Sequence, residues 1–119
     1  MVFSVLPMGF VVLLIILIFA FGKFIKIKGS INEELLNSGG TIIDVRSPES
    51  FNKDHLEKAI NIPYENLCTL SEEELKKLIP DKDKRILVYC RSGRKSGESV
   101  EILKKLGYKD VHNLGGFEM

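Results

Sequence analysis

Charge divides this chain in two. From Met1 to Gly22 there is no charged side chain, and all 17 basic and 16 acidic residues lie between Lys23 and Met119. So long an apolar stretch has to be kept out of water. As a helix rising about 1.5 Å per residue, Val2 to Gly22 spans roughly 30 Å, the thickness of a bilayer's hydrocarbon core. Pro7 and Gly9 fall in its first half, where a membrane helix tolerates them. The expected arrangement is one transmembrane anchor over residues 1–25, meeting the lipid bilayer through residues 3–22, followed by a soluble domain over residues 26–119. A cleaved signal peptide is the rival reading. It fits less well, because the amino end carries no Lys or Arg, the apolar core is long, and Ala20-Phe21-Gly22 is a poor cleavage site. Lys23, Lys26 and Lys28 follow the stretch directly. The positive-inside bias then places the domain in the cytoplasm of a single-pass cell-membrane protein. Export after cleavage is the alternative.

The charged part is long enough for one modest core and too short for two. A net charge of +1, with no basic stripe interleaved with aromatics, argues against nucleic acid as a partner. Cys68 and Cys90 fit neither a CxxC pair nor a zinc site, and His55 and His112 have no ligand-like neighbours. No metal and no cofactor is expected. Two cysteines do not make a disulfide framework.

Helical and extended patterns alternate through this part. Lys26 to Lys28 reads as a short edge strand. Ser30-Ile31-Asn32-Glu33 has the form of a capping box, and Gly39-Gly40 ends the helix that it starts, with Leu35 and Leu36 facing inward. Thr41 to Val45 is an apolar, β-branched run and reads as a buried strand. Ser47-Pro48-Glu49 opens a short helix, with Ser as cap and Pro in the first turn. Ala59 to Ile62 is a second short strand, closed by Pro63. Ser71-Glu72-Glu73-Glu74 caps a helix that runs to about Ile79. Arg85 to Tyr89 is the clearest central strand. Ser96 to Leu106 is helical, with Val100, Leu103 and Leu106 on one face and Gly107 as its stop, and Val111 to Leu114 is a last strand. Such alternation specifies an α/β fold with a mainly parallel sheet flanked by helices.

The chemistry lies in Tyr89-Cys90-Arg91-Ser92-Gly93-Arg94-Lys95-Ser96-Gly97. Cys90 stands where a buried parallel strand ends and a helix is about to begin, the edge at which open α/β sheets bind ligands. Small residues let backbone N–H groups converge as an anion-binding nest, and the following helix aims its positive end at the same place. Arg91, Arg94 and Lys95 add cations. All of these favour a thiolate over a thiol, and the thiolate is the reactive form. The bland alternative is an inert core cysteine.

These residues resemble the rhodanese family. Asp44-Val45-Arg46 is similar to its first-strand signature. His55-Leu56 with Ala59-Ile60-Asn61-Ile62-Pro63 is similar to its "GHI…GAxNIP" stretch. Tyr89 to Gly97 is similar to its active-site loop, and Gly107-Tyr108, Val111, Asn113-Leu114 and Gly115-Gly116 to its closing segment. The resemblance implies the rhodanese-like fold and a thiosulfate sulfurtransferase, in which Cys90 carries sulfane sulfur as a persulfide. Arg91, Ser92, Gly93, Arg94, Lys95 and Ser96 would form the substrate-binding loop. The implied partners are a small anionic sulfur donor and a thiol or protein acceptor. The chain departs from the family at Asp54 and Lys58, where glycines are usual. It ends at Phe117-Glu118-Met119, where many members continue to a Trp and a final helix.

For Asp44 and Arg46 a structural ion pair is the stronger expectation, and orientation of the loop the weaker. His55 is expected to stabilise a turn. Cys68 is expected to be a packed small apolar residue rather than a resolving thiol. Two other functions compete with sulfur transfer. A non-catalytic rhodanese-like binding or regulatory module would not need Cys90 or the basic loop. A cysteine phosphatase or arsenate reductase would need Arg after five residues counted from Cys90, and that position is Ser96.

Overall fold

A computed structural model describes residues 30–117. The proposed anchor over residues 1–25 and the edge strand at Lys26 to Lys28 lie outside them. Among the described residues no helix is long and apolar enough to cross a membrane.

Four parallel strands form the sheet: β1 (Thr41–Asp44), β2 (Ile60–Asn61), β3 (Ile86–Cys90) and β4 (Val111–Gly116), in the order β2-β1-β3-β4. Five helices connect and cover them: α1 (Glu33–Asn37), α2 (Pro48–Lys53), α3 (Tyr64–Thr69), α4 (Glu72–Leu78) and α5 (Arg94–Lys105). The central strand β3 is buried at every position, because both of its faces meet apolar layers. Period-two alternation sends Ile86, Val88 and Cys90 into one cluster with Ile43, Leu67, Leu75, Val100 and Leu103. Leu87 and Tyr89 join the other, with Leu114, Phe117 and the half-buried Leu35, Leu36 and Phe51. Each fully buried Leu or Ile contributes about 2 kcal/mol, so the two faces together fix the register of β3. The alternation also decides where the chemistry lies: Cys90 faces the layer that contains α5.

Local signals place most elements. Ser47 Oγ accepts from the Ser50 N–H and caps α2, and Ser71 Oγ accepts from the Glu74 N–H and caps α4. The first helix departs from its capping box. Asn32, not Ser30, is its cap, with Oδ1 accepting from the Leu35 N–H at 3.0 Å. Ser30 instead runs beside β4, donating from its N–H to Gly116 O and accepting from Gly116 N at Oγ. Helix α3 has no counterpart in the sequence reading. Its N-cap is Pro63, which offers no side-chain acceptor. On it Cys68 is exposed, so the expectation of a packed Cys68 fails.

Lys58 occupies the left-handed region at φ 67° in the turn before β2, where the sequence lacks the expected glycine. Asp54, the other departure, is extended at φ −166° and unstrained. The strain at Lys58 predicts that Lys58→Gly stabilises the fold. The left-handed cost for a side-chain-bearing residue, about 1–2 kcal/mol, outweighs the extra chain entropy of glycine, about 0.5–1 kcal/mol. Denaturant unfolding should show a gain of roughly 0.5–1 kcal/mol. A loss would mean that the Lys58 side chain makes contacts worth more than the strain.

Candidate active site

The last residue of β3 and the first turn of α5 share one atom. Cys90 Sγ accepts from the Gly93 N–H at 3.0 Å and from the Ser96 N–H at 3.3 Å, and lies 3.3 Å from Ser96 Oγ. Gly93 is the N-cap of α5 and has no side chain with which to cap it. A capping side chain ordinarily accepts from the third helical residue, here Ser96. The sulfur takes that role. Gly93 reaches the required geometry at φ 95°, a conformation that a side-chain-bearing residue adopts only with strain.

The helix begins at Arg94, two residues earlier than the sequence pattern indicates. The expected loop Arg91–Ser96 is therefore a short turn, Arg91 to Gly93, followed by the first helical turn, Arg94 to Ser96. The polar pattern of Arg94-Lys95-Ser96 hides this start, because the Ser96 N–H is satisfied by a sulfur six residues back and not by a local cap. Gly116 supports the turn from below. A Cβ there would stand 2.7 Å from Arg91 O and 3.0 Å from the Ser92 carbonyl carbon, so only glycine lets β4 pass so close.

Cys90 is 3 % exposed. Burial by itself raises its pKa. Hydrogen bonds from the Ser96 side chain and from the Ser96, Gly93 and Ser92 backbone outweigh burial, and the thiol titrates below its ordinary range. The cations play a different part. Arg91, Arg94 and Lys95 are exposed along the wall of a cavity of about 320 Å³ that Cys90 also lines. Lys95 pairs with Glu65 of α3 at 3.3 Å and lies over the Tyr64 ring. Val45, Arg46, Ser47 and Ser50 also line it.

Asp44 and Arg46 form a buried pair, 0 % and 6 % exposed. Arg46 Nη2 lies 2.9 Å from Asp44 Oδ2, Nε bridges both carboxylate oxygens at 3.1 Å, and Nη2 also donates to Asp54 O. The guanidinium sits over the Phe117 ring at 4.6 Å. The two residues form an ion pair, and Arg46 also borders the cavity. His55 stacks on Phe51 at 3.8 Å and bonds its carbonyl through Nδ1, the turn-stabilising part expected of it. Sequence reasoning missed Ser47, Ser50 and Glu65 as cavity residues, and it gave Asn113 no role. Glu65 follows from α3, which had no capping signal. Asn113 becomes visible only through tertiary contact with the first turn of α5.

The geometry generates a pH prediction. A folded-state thiol with a depressed pKa ionises at lower pH than a free one, so alkylation of Cys90 should rise with pH and level off at a midpoint below about 8.5. Stability linked to this group is present at pH above the unfolded value and is lost as pH falls through the folded value. Ser96→Ala removes a donor to the thiolate and should move the alkylation midpoint upward. An unmoved midpoint would show that the backbone N–H groups suffice.

The rhodanese-like domain model matches residues 27–119 of this chain. The chain is 42% identical over 76 residues to the thiosulfate sulfurtransferase PspE of Escherichia coli K12, a match that covers 64% of this chain and 69% of that protein. Among solved structures, a rhodanese with anions from E. coli superposes with a TM-score of 0.58 at 42% identity, over 65% of this chain and 86% of that one. The human single-domain sulfurtransferase TSTD1 superposes with a TM-score of 0.58 at 25% identity, covering 71% and 82%. With its fold, its parallel sheet and a family match that runs from residue 27 onward, this chain belongs to the rhodanese-like domain family.

Proposed function

We propose that the chain is a thiosulfate sulfurtransferase that works through a persulfide on Cys90. Sulfur transfer is the activity named for the similar proteins from E. coli and human. The observation that carries the reading is the convergence of the Gly93 and Ser96 N–H groups and the Ser96 hydroxyl on one buried sulfur. In the first step the Cys90 thiolate attacks the outer sulfur of thiosulfate. The sulfur–sulfur bond of the donor breaks, sulfite leaves with the electron pair, and a Cys90 persulfide remains. In the second step a thiophilic acceptor attacks the outer sulfur and Cys90 departs as thiolate. The acceptor is cyanide in the assay and a thiol or protein acceptor in the cell. Two displacements through a covalent intermediate give ping-pong kinetics. Arg91, Arg94 and Lys95 draw the anionic donor to the cavity, and the nest carries the charge on sulfur.

The phosphatase reading finds no support at Ser96, whose hydroxyl lies 3.3 Å from the sulfur where an oxyanion-gripping guanidinium would be needed. Cys90→Ser should abolish thiosulfate:cyanide transfer with the melting temperature little changed, while the exposed Cys68→Ser retains most activity. Substantial transfer by the Cys90→Ser protein would end the assignment.

The second part of the proposal is location. Residues 1–25 hold the chain in the membrane as a single span, with the domain over residues 26–119 on the cytoplasmic side, where reducing conditions keep Cys90 free. The support is the uncharged run to Gly22 and the lysines at 23, 26 and 28. Ile15→Lys, at a cost on the order of 3 kcal/mol for insertion, should release or destabilise the anchor. Protease protection on wall-stripped cells, with the mass of the mature chain, checks the topology. Digestion from outside, or a mature chain beginning near Gly22, would mean an exported enzyme.

A further inference from the structure

The geometry points to Asn113 as a positioning residue for the Cys90 sulfur: its amide clamps the first turn of α5 so that the Gly93 and Ser96 donors stay aimed at Sγ. The inference rests on the reading of Cys90 as the sulfur carrier.

Asn113 Nδ2 donates to Gly93 O at 2.9 Å, and Oδ1 accepts from Ser96 Oγ at 2.7 Å and from the Gly115 N–H at 3.0 Å. The amide has a single orientation, because Gly93 O can only accept and Gly115 N can only donate. One side chain thus grips Gly93 and Ser96, two of the residues whose N–H groups address the sulfur. Two independent features make room for it. The pairing of β3 with β4 shifts between Val88 and Tyr89, which face Asn113 and Gly115 and leave Leu114 as an extra residue. Such a bulge re-aims side chains beside active sites. On α5, Gly97 flanks the amide, and a Cβ there would come within 3.3 Å of Nδ2. Ser96 Oγ has one proton and two neighbours, Asn113 Oδ1 and Cys90 Sγ. With that proton given to Asn113 Oδ1, the hydroxyl does not donate to Sγ at the same time, so the clamp acts on the sulfur through the Gly93 and Ser96 N–H groups.

Loss of the clamp should loosen the donors and make the thiolate harder to form. Asn113 is exposed, so its replacement leaves the core intact. None of the charged groups bordering the cavity is altered: Arg46 after β1, Glu65 on α3, and Arg91, Arg94 and Lys95. The test is the pH dependence of Cys90 alkylation by iodoacetamide in the full chain, carrying Cys68→Ser so that one thiol is read. Read in a Ser96→Ala background, where no freed hydroxyl can replace the lost clamp, Asn113→Ala should raise the midpoint by about 0.5 pH unit or more, a roughly threefold loss of thiolate below the midpoint. Asn113→Asp keeps the acceptor for Ser96 but replaces the donor to Gly93 O with negative charge, and should raise the midpoint further. It carries the test alone should the alanine protein not fold. A midpoint equal to that of the parent in the folded variants overturns the inference, even where transfer activity falls. Because the readout is the sulfur itself, this failure is separate from a failure of the sulfurtransferase reading, which Cys90→Ser decides.

Discussion

A buried sulfur that ionises needs donors, and the first turn of a helix needs an acceptor. In this fold each need meets the other. Cys90 ends the central strand, the N-cap of α5 follows three residues later at Gly93, and Sγ takes the N–H that a capping side chain would otherwise take. Several local oddities follow from that one interaction. The N-cap has no side chain, Gly93 is left-handed, and β4 must carry glycine at 116 so that the turn can lie against it. Fixed N–H dipoles also explain why the thiol titrates low in spite of its burial, which on its own works in the opposite direction. The exposed cations act at longer range and are screened by salt, so capture of anions is their natural part.

The neighbouring strand depends on a second buried charge. Two ions removed from water cost more than their attraction returns unless further hydrogen bonds satisfy them. Asp44 receives the Arg46 N–H and its guanidinium, and Arg46 also reaches Asp54 O, so the pair ties the end of β1 to the end of α2. The Phe117 ring covers the guanidinium, and the Phe117 N–H donates to Cys90 O. The ion pair and the sulfur are thereby linked through one residue after β4. Arg46 thus belongs both to the ion pair and to the wall of the cavity. Removal of one partner of such a pair typically costs about 3–5 kcal/mol, and here it would also disturb the wall of the cavity.

What the sequence made legible was local. Apolar runs with period two identify β1 and β3, and Ser47-Pro48 and Ser71 announce their helices, because each signal is complete within four or five residues. What it hid was tertiary. Ser30 resembled a cap but is held by Gly116, distant in sequence. α3 lacks a side-chain cap and stands because Leu67 packs into the larger cluster. Arg94 and Lys95 looked like loop because their helix is capped by a residue of the preceding strand. Cys68, judged by residue type alone, was placed inside, although its helix position turns it to solvent. The site was legible at its centre, Cys90, and obscure at its rim, where Glu65 and Asn113 arrive from other elements.

The division of labour between dipoles and cations bears on the proposed cycle. In it, negative charge sits on Sγ before transfer and is shared with an outer sulfur afterwards. Backbone donors anchored in the first turn of α5 do not reorganise when that charge moves, so their stabilisation is available at both stages. The outer sulfur would lie in the cavity, whose volume of about 320 Å³ leaves room for an acceptor beside it. There the field is mixed: Arg91, Arg94 and Lys95 bring positive charge, and Glu65, which pairs with Lys95, brings negative charge. A wholly cationic cavity would hold sulfite as firmly as it holds thiosulfate and would slow its release. A mixed one would hold both anions less firmly, so in the proposed cycle sulfite would leave it more readily. The salt bridge between Glu65 and Lys95, being exposed, contributes little to stability, so in the proposed cycle its weight would fall on how firmly the cavity holds its anions.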